Sequence, residues 1–190
     1  MKWLWPISAL AMLAACAHAP PTPAVGTAMS DNPLADAAAL LSASEQAADQ
    51  KARAPYLARL DGLQVAVADG APAEEDTLSQ WREQAAETEK TPPFRGRALG
   101  PAYRRATIQP GETIRIEQIF YAGQRAEIAG QSLGGQPVHL DIRNQRTQAV
   151  CSAQLTPAGT CRWLPLFTER FQIDLTNRSK KPASVYIVFR

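Results

Sequence analysis

The chain has 190 residues, 45% of them apolar, which suits one ordinary globular domain with a smaller appendage. The formal net charge is only +2, yet it is divided: residues 16–90 carry 5 Lys+Arg against 12 Asp+Glu, and residues 91–190 carry 14 against 6. Two readings of that division stay open. Either the acidic front covers the basic back, or both are simply solvated; alternatively the basic part faces an anionic surface such as lipid headgroups or cell-wall polymer. Walker, Rossmann, zinc-finger and CxxC patterns are absent, so the sequence offers no nucleotide-binding or thiol-redox signature.

Taken in order, the chain begins with a targeting segment over residues 1–15. Lys2 supplies a positive start, and Trp3 to Ala15 is an apolar run too short to stay as a membrane-spanning helix. It ends Leu13-Ala14-Ala15-Cys16, which resembles the bacterial lipobox. That resemblance implies cleavage before Cys16, a lipid in thioether linkage on its thiol and an acylated amine; two or more acyl chains anchor where one does not. The other reading is an ordinary secretory leader with Cys16 incidental. Ala17 stands where an Asp would be associated with inner-membrane retention, so the expected location is the bacterial outer membrane, lipid-anchored and facing the periplasm. If Cys16 carries lipid, Cys151 and Cys161 are left with one pairing, which an oxidising compartment allows. A loop of about ten residues closed this way contributes on the order of 3 kcal/mol.

Residues 16–30 are rich in Pro, Ala and Thr and read as an extended tether. Residues 31–90 read as helical pieces. Asp31 and Asn32 suit an N-cap and Pro33 the first turn. Leu34, Ala38, Leu41 and Ala48 then make a weak apolar stripe. Pro55 is expected to break or restart the helix, after which Tyr56, Leu60, Leu63 and Val67 share a face. Gly70 to Pro72 is a break, Thr77 with Gln80 resembles a capping box, and Leu78, Trp81 and Ala85 form a third stripe. Stripes this thin need a cover: one another, the β domain or a partner.

Residues 91–105 form a basic connector. Its aromatics among arginines suit nucleic acid in principle, but an exported lipoprotein meets little, so no nucleic-acid partner is expected. Over residues 106–190 the period becomes two. Gln109-Pro110-Gly111-Glu112 reads as a type II turn, and Ile114, Ile116 and Phe120 as a strand with a bulge near Gln118. Ala122-Gly123 turns, Ala126 and Ile128 alternate, and Gly130 to Gln136 reads as a loop. Val138, Leu140, Ile142; Phe171, Ile173, Leu175; and Val185, Ile187, Phe189 are the clearest half-buried strands. About seven short strands with close turn signals predict an all-β sandwich preceded by a small helical segment, α+β in segregated regions. Trp163, beside Cys161, is expected near the disulfide.

Phe120-Tyr121-Ala122-Gly123-Gln124-Arg125-Ala126, Val138-His139-Leu140-Asp141-Ile142-Arg143-Asn144, Cys161-Arg162-Trp163 with Pro165, Phe171-Gln172-Ile173-Asp174-Leu175-Thr176-Asn177 and Tyr186-Ile187-Val188 occur in an order and spacing that resembles the bacterial pre-peptidase C-terminal (PPC-like) domain, over residues 99–190. The resemblance implies a jelly-roll-like sandwich accessory to secreted or cell-surface proteins, without catalytic residues of its own. Some members bind calcium through acidic loops. Here Asp141 stands alone in its strand and Asn144 lies where a second acid is common, so no metal or other cofactor is expected.

Two candidate sites remain. Gly130-Gln131-Ser132-Leu133-Gly134 matches the nucleophile-elbow pattern, but a strand follows rather than a helix, and no acid stands between Ser132 and His139. No catalytic residue is expected. His139, Asp141 and Arg143 share one strand face, with Asp174 and Gln172 on a strand nearby; they form either a solvated outer face, a face for polar ligands or glycan, or, with too few ligands, a metal site. The function expected is a non-enzymatic lipoprotein with a structural or protein-interaction role, partnered by the membrane through Cys16 and by an envelope protein. The alternative is a binding module for cell-wall glycan or another anionic envelope polymer.

Overall fold

A computed structural model describes residues 31–89 and 100–190. The expected leader, Cys16, the tether and residues 91–99 of the connector lie outside the described residues. Alternating apolar residues build two sheets. The five-stranded sheet runs β1 (Ala66–Val67), β2 (Ala102–Ile108), β9 (Ala183–Phe189), β4 (Ala126–Leu133), β7 (Ala158–Trp163). The four-stranded sheet runs β3 (Thr113–Phe120), β8 (Glu169–Asn177), β5 (Val138–Arg143), β6 (Ala149–Leu155). Every neighbouring pair is antiparallel except β1 with β2. The described residues thus hold nine strands where about seven were expected: β1 comes from within the segment expected to be helical, and the continuous run of strands starts at Ala102 rather than at 106. Arg104 and Arg105 masked the alternation there because both point to carboxylates of the helical segment.

Between the sheets lies one core. Ile116 and Phe120 of β3, Phe171, Ile173 and Leu175 of β8, and Val138, Leu140 and Ile142 of β5 meet Ile108 of β2, Ala126 and Ile128 of β4 and Val185, Ile187 and Phe189 of β9. Each buried side chain of this kind contributes about 1.5–3 kcal/mol of transfer free energy. β6 and β7, edge strands of opposite sheets, are joined by Cys151–Cys161, whose Cα atoms are 5.9 Å apart. Trp163 packs beside this side of the core, stacking edge-on to Phe120 with ring centres 4.8 Å apart.

A second core covers the outer side of the five-stranded sheet. Helix α1 (Pro33–Gln46) lies over β4 and β9, helix α2 (Gln50–Gly62) packs on α1, and helix α3 (Thr77–Glu89) packs on α2. Leu34, Ala37, Ala38, Leu40, Leu41, Leu57, Leu60, Leu78 and Trp81 close onto Tyr103, Ala129, Tyr186 and Val188. No helix among the described residues is long and apolar enough to cross a membrane.

Several local expectations change. Asn32 caps α1, accepting from the Leu34 and Ala35 amides, with Pro33 in the first turn as expected. Ala48 falls beyond the helix and is exposed. Pro55 does not break α2, which starts at Gln50 under an Asp49 cap and runs through it; an exposed face gives water access to the carbonyl that Pro55 cannot serve. The α2 face ends earlier than expected, because Val67 belongs to β1. The cap of α3 is Asp76, which accepts from the Ser79 amide, rather than Thr77. β3 keeps an unbroken register with β8, so there is no bulge; Gln118 takes an inward-facing position at the sandwich rim. The Gln109–Glu112 turn forms as expected, closed by the Glu112 amide to Gln109 O at 3.0 Å with Gly111 at φ 78°. The loop expected from Gly130 is strand to Leu133. Glycine serves there because a Cβ at Gly130 would sit 2.6 Å from Leu155 Cδ1.

Candidate functional site

The four residues His139, Asp141, Arg143 and Asp174 do converge on one surface. β5 and β8 pair with Asp141 opposite Asp174, His139 opposite Thr176 and Arg143 opposite Gln172. Because successive side chains alternate, all four leave the core together and form the solvent side of the four-stranded sheet. Asp174 accepts from Arg115 Nε at 2.9 Å and from Gln172 Nε2 at 2.7 Å. His139 Nε2 lies 3.4 Å from Asp141 Oδ2 and 3.2 Å from Ser152 Oγ. Arg143 turns away toward the Thr147 carbonyl. Of the four, only His139 and Asp141 meet each other, and among the described residues no three His, Cys, Asp or Glu side chains gather to hold a metal.

Ser132 sits on β4, 2% exposed, with its hydroxyl donating to the Gln136 carbonyl. His139 lies on the other sheet, on its outer face. The two cannot act as nucleophile and base, so the elbow pattern marks a buried strand residue.

Two arginines of the sandwich, Arg104 and Arg105, are met by carboxylates of the acidic front. Arg105 makes a two-pronged pair with Glu45 of α1, at 2.8 and 2.6 Å, and Tyr186 donates to the same carboxylate. Thr77 at the start of α3 bonds the Tyr186 hydroxyl at 3.1 Å. Arg104 clasps Glu75 in the same two-pronged way. Tyr103 accepts from the Leu78 amide at 3.0 Å. Burial pushes the Tyr103 hydroxyl up to about 12, and burial together with Glu45 raises that of Tyr186, so both stay protonated, Tyr103 donating to Asp76 Oδ1 at 3.3 Å and Tyr186 to Glu45. Within the sandwich, Glu127, 2% exposed, holds Arg162 at 2.7 Å and Arg190 at 3.2 Å.

A groove not anticipated from the sequence opens at one end of the sandwich. The hairpin around Asn144 to Gln148 forms one wall, and the β7–β8 connection, Leu164 to Thr168, the other; the space is about 500 Å³. The hairpin is held by Asn144 Oδ1, which accepts from the Arg146 and Gln148 amides, and the walls are tied where the Gln145 amide donates to Glu169. Leu164, Leu166 and Phe167 are 60%, 81% and 61% exposed, and Tyr121 beside them is 58% exposed. The β3–β4 turn locks onto this loop through the Gly123 amide to Pro165 O and the Ala122 amide to Thr168 Oγ1, both at 3.0 Å. The sequence did carry a signal: Leu164-Pro165-Leu166-Phe167 is an apolar run out of step with either neighbouring strand.

No protein-family model and no curated protein matches the chain. Among solved structures it is similar to a de novo designed double-stranded β-helix, at 18% identity, 46% of this chain, 97% of that chain and a TM-score of 0.34. It is also similar to Aeromonas hydrophila PliG, a periplasmic inhibitor of g-type lysozyme, at 12% identity, 53% of this chain, 95% of that one and a TM-score of 0.38. A third is the Yersinia pseudotuberculosis-derived mitogen, at 9% identity, 47% and 84% coverage and a TM-score of 0.37. These likenesses are too slight to bear on activity or ligand.

Proposed function

We propose that this is a non-enzymatic lipoprotein, anchored through Cys16 in the bacterial outer membrane and facing the periplasm, whose sandwich binds another envelope protein through its loop end. The observation that carries the reading is the gathering of Leu164, Leu166 and Phe167, all more than half exposed, on one wall of the groove, with exposed Tyr121 at the start of the turn that bonds to that wall. Contiguous exposed apolar surface of this sort is found where proteins meet. On this reading the PPC-like resemblance fits an accessory module. The alternative, a binder of cell-wall glycan or another anionic polymer, loses ground because Arg104, Arg105, Arg115, Arg162 and Arg190 are engaged by carboxylates of the chain itself.

The test is crosslinking of the full-length protein in envelope membranes, alongside Leu166→Asp/Phe167→Asp. A discrete protein partner lost in the variant supports the reading. Identical partners in both, or salt-sensitive retention of cell-wall material as the sole product, overturns it. Fractionation of Cys16→Ala should find the chain released from membranes; continued retention removes the anchor from the proposal.

A further inference from the structure

We infer that the outer edge of β3 pairs with the same edge of a second copy of this chain, joining two four-stranded sheets into one across a two-fold axis. β3 ends its sheet. β8 takes one edge, and among the described residues no strand pairs with the other. Its eight residues, TIRIEQIF, contain no Pro and no bulge, two of the devices by which open edges are commonly blunted.

The side chains along this edge select the occupant and its register. Arg115 and Glu117 stand two residues apart on the solvent side, 58% and 53% exposed. In an antiparallel pairing with Ile116 on the two-fold axis, Arg115 faces the partner's Glu117, and Glu117 faces the partner's Arg115. A shift of one residue in either direction of that axis sets Arg115 against the partner's Arg115, or Glu117 against the partner's Glu117, and like charges directly opposite repel. The favoured register also continues a charge row already present. Asp174 holds Arg115 at 2.9 Å and Arg170 holds Glu117 at 2.9 Å. Across the joint, Asp174, Arg115, the partner's Glu117 and the partner's Arg170 therefore alternate in sign. Thr113 falls opposite the partner's Ile119, a side chain left 44% exposed in the single chain. An unrelated extended peptide could satisfy the backbone edge, but only a second copy supplies the reciprocal exchange of Arg115 and Glu117.

Sedimentation of the full-length chain in density-matched detergent tests this. An edge contact of modest area predicts a dimer with a dissociation constant of micromolar order, and a chain monomeric up to about 100 μM overturns the inference. Arg115→Glu and Glu117→Arg should each weaken the dimer roughly ten-fold or more, since each places like charges opposite. Combining them exchanges the charges and should restore dimerisation, even though both internal pairs, with Asp174 and Arg170, are lost. A dimer indifferent to the single changes, or not regained by the double change, overturns the assignment. Thermal melts check that each variant folds. Should a reversal fail to fold, disulfide trapping replaces it: Thr113→Cys and Ile119→Cys chains should crosslink when mixed and not separately, and the opposite pattern rejects the register.

Discussion

The outer side of the five-stranded sheet lies under three helices, whereas the outer side of the four-stranded sheet meets water. β4 and β9 are buried through Ala126–Gly130 and Val185–Phe189 without interruption, while β5 along its length and β8 from Phe171 to Asn177 alternate buried and half-buried residues. The helices make the difference, since Leu34, Leu41 and Leu60 occupy positions that water takes on the other sheet. Charge follows the same division. Glu45 and Glu75 reach from the helical layer to Arg105 and Arg104, whereas Arg115 and Asp174 on the open sheet pair within it. A sandwich so built has one side committed to its own chain and one side, with the loop end, available to others.

Substitution should separate the two sides. The largest effect is expected under the helices: Leu41→Ala, at a position 0% exposed, should cost about 2–5 kcal/mol in urea unfolding. A loss under 1 kcal/mol would mean that the helical layer unfolds apart from the sandwich. Next comes the strap between the sheets. Replacing Cys151 and Cys161 by Ser should cost on the order of 3 kcal/mol through the larger freedom of the unfolded chain; equal stability of oxidised and reduced protein would contradict it.

The ion pair between layers should cost less. Glu45→Gln leaves Arg105 half-served, and about 1–3 kcal/mol should be lost at pH 7. Burial alone would raise the Glu45 carboxyl, but hydrogen bonds from Arg105 and Tyr186 together outweigh it and hold the folded value below the ordinary 4.5. Its contribution is therefore complete above the unfolded value and disappears as pH falls from about 4.5 through the lower folded value. The wild-type protein should lose more stability over that interval than Glu45→Gln, and parallel acid profiles would remove Glu45 from the interface. The smallest effect belongs to the open sheet. His139→Ala and Asp141→Asn, on a solvated face, should each stay within about 0.5 kcal/mol, and a larger shift would reveal a structural duty for that pair.

The same contrast explains what could be read in advance. Phe171, Ile173 and Leu175 announced a strand because their neighbours face water, so hydropathy alternates. In β4 the neighbours are buried as well, and Gly130 looked like the start of a loop because its reason, the approach of Leu155, lies on a distant strand. Asp76 competed unseen with Thr77 for the α3 cap because both residue types cap well. Asn32, Pro33 and the Gln109–Glu112 turn were legible because their geometry is decided within four residues. That His139, Asp141 and Arg143 share a strand face was legible from alternation, whereas the register that sets Asp174 opposite Asp141 is fixed only by the pairing of β5 with β8. The groove escaped notice because its walls, around Asn144 and Leu166, come from separate connections that only tertiary structure brings face to face.

The position of β9 has a consequence for synthesis. It is the last strand in chain order, yet it lies between β2 and β4, which share no hydrogen bonds with each other. A ribosome therefore delivers both flanking strands well before the one that joins them, and the five-stranded sheet cannot zip up on a partly made chain. Such late, long-range closure slows folding, and until β9 has emerged the facing edges of β2 and β4 stand open to one another with nothing to bridge them.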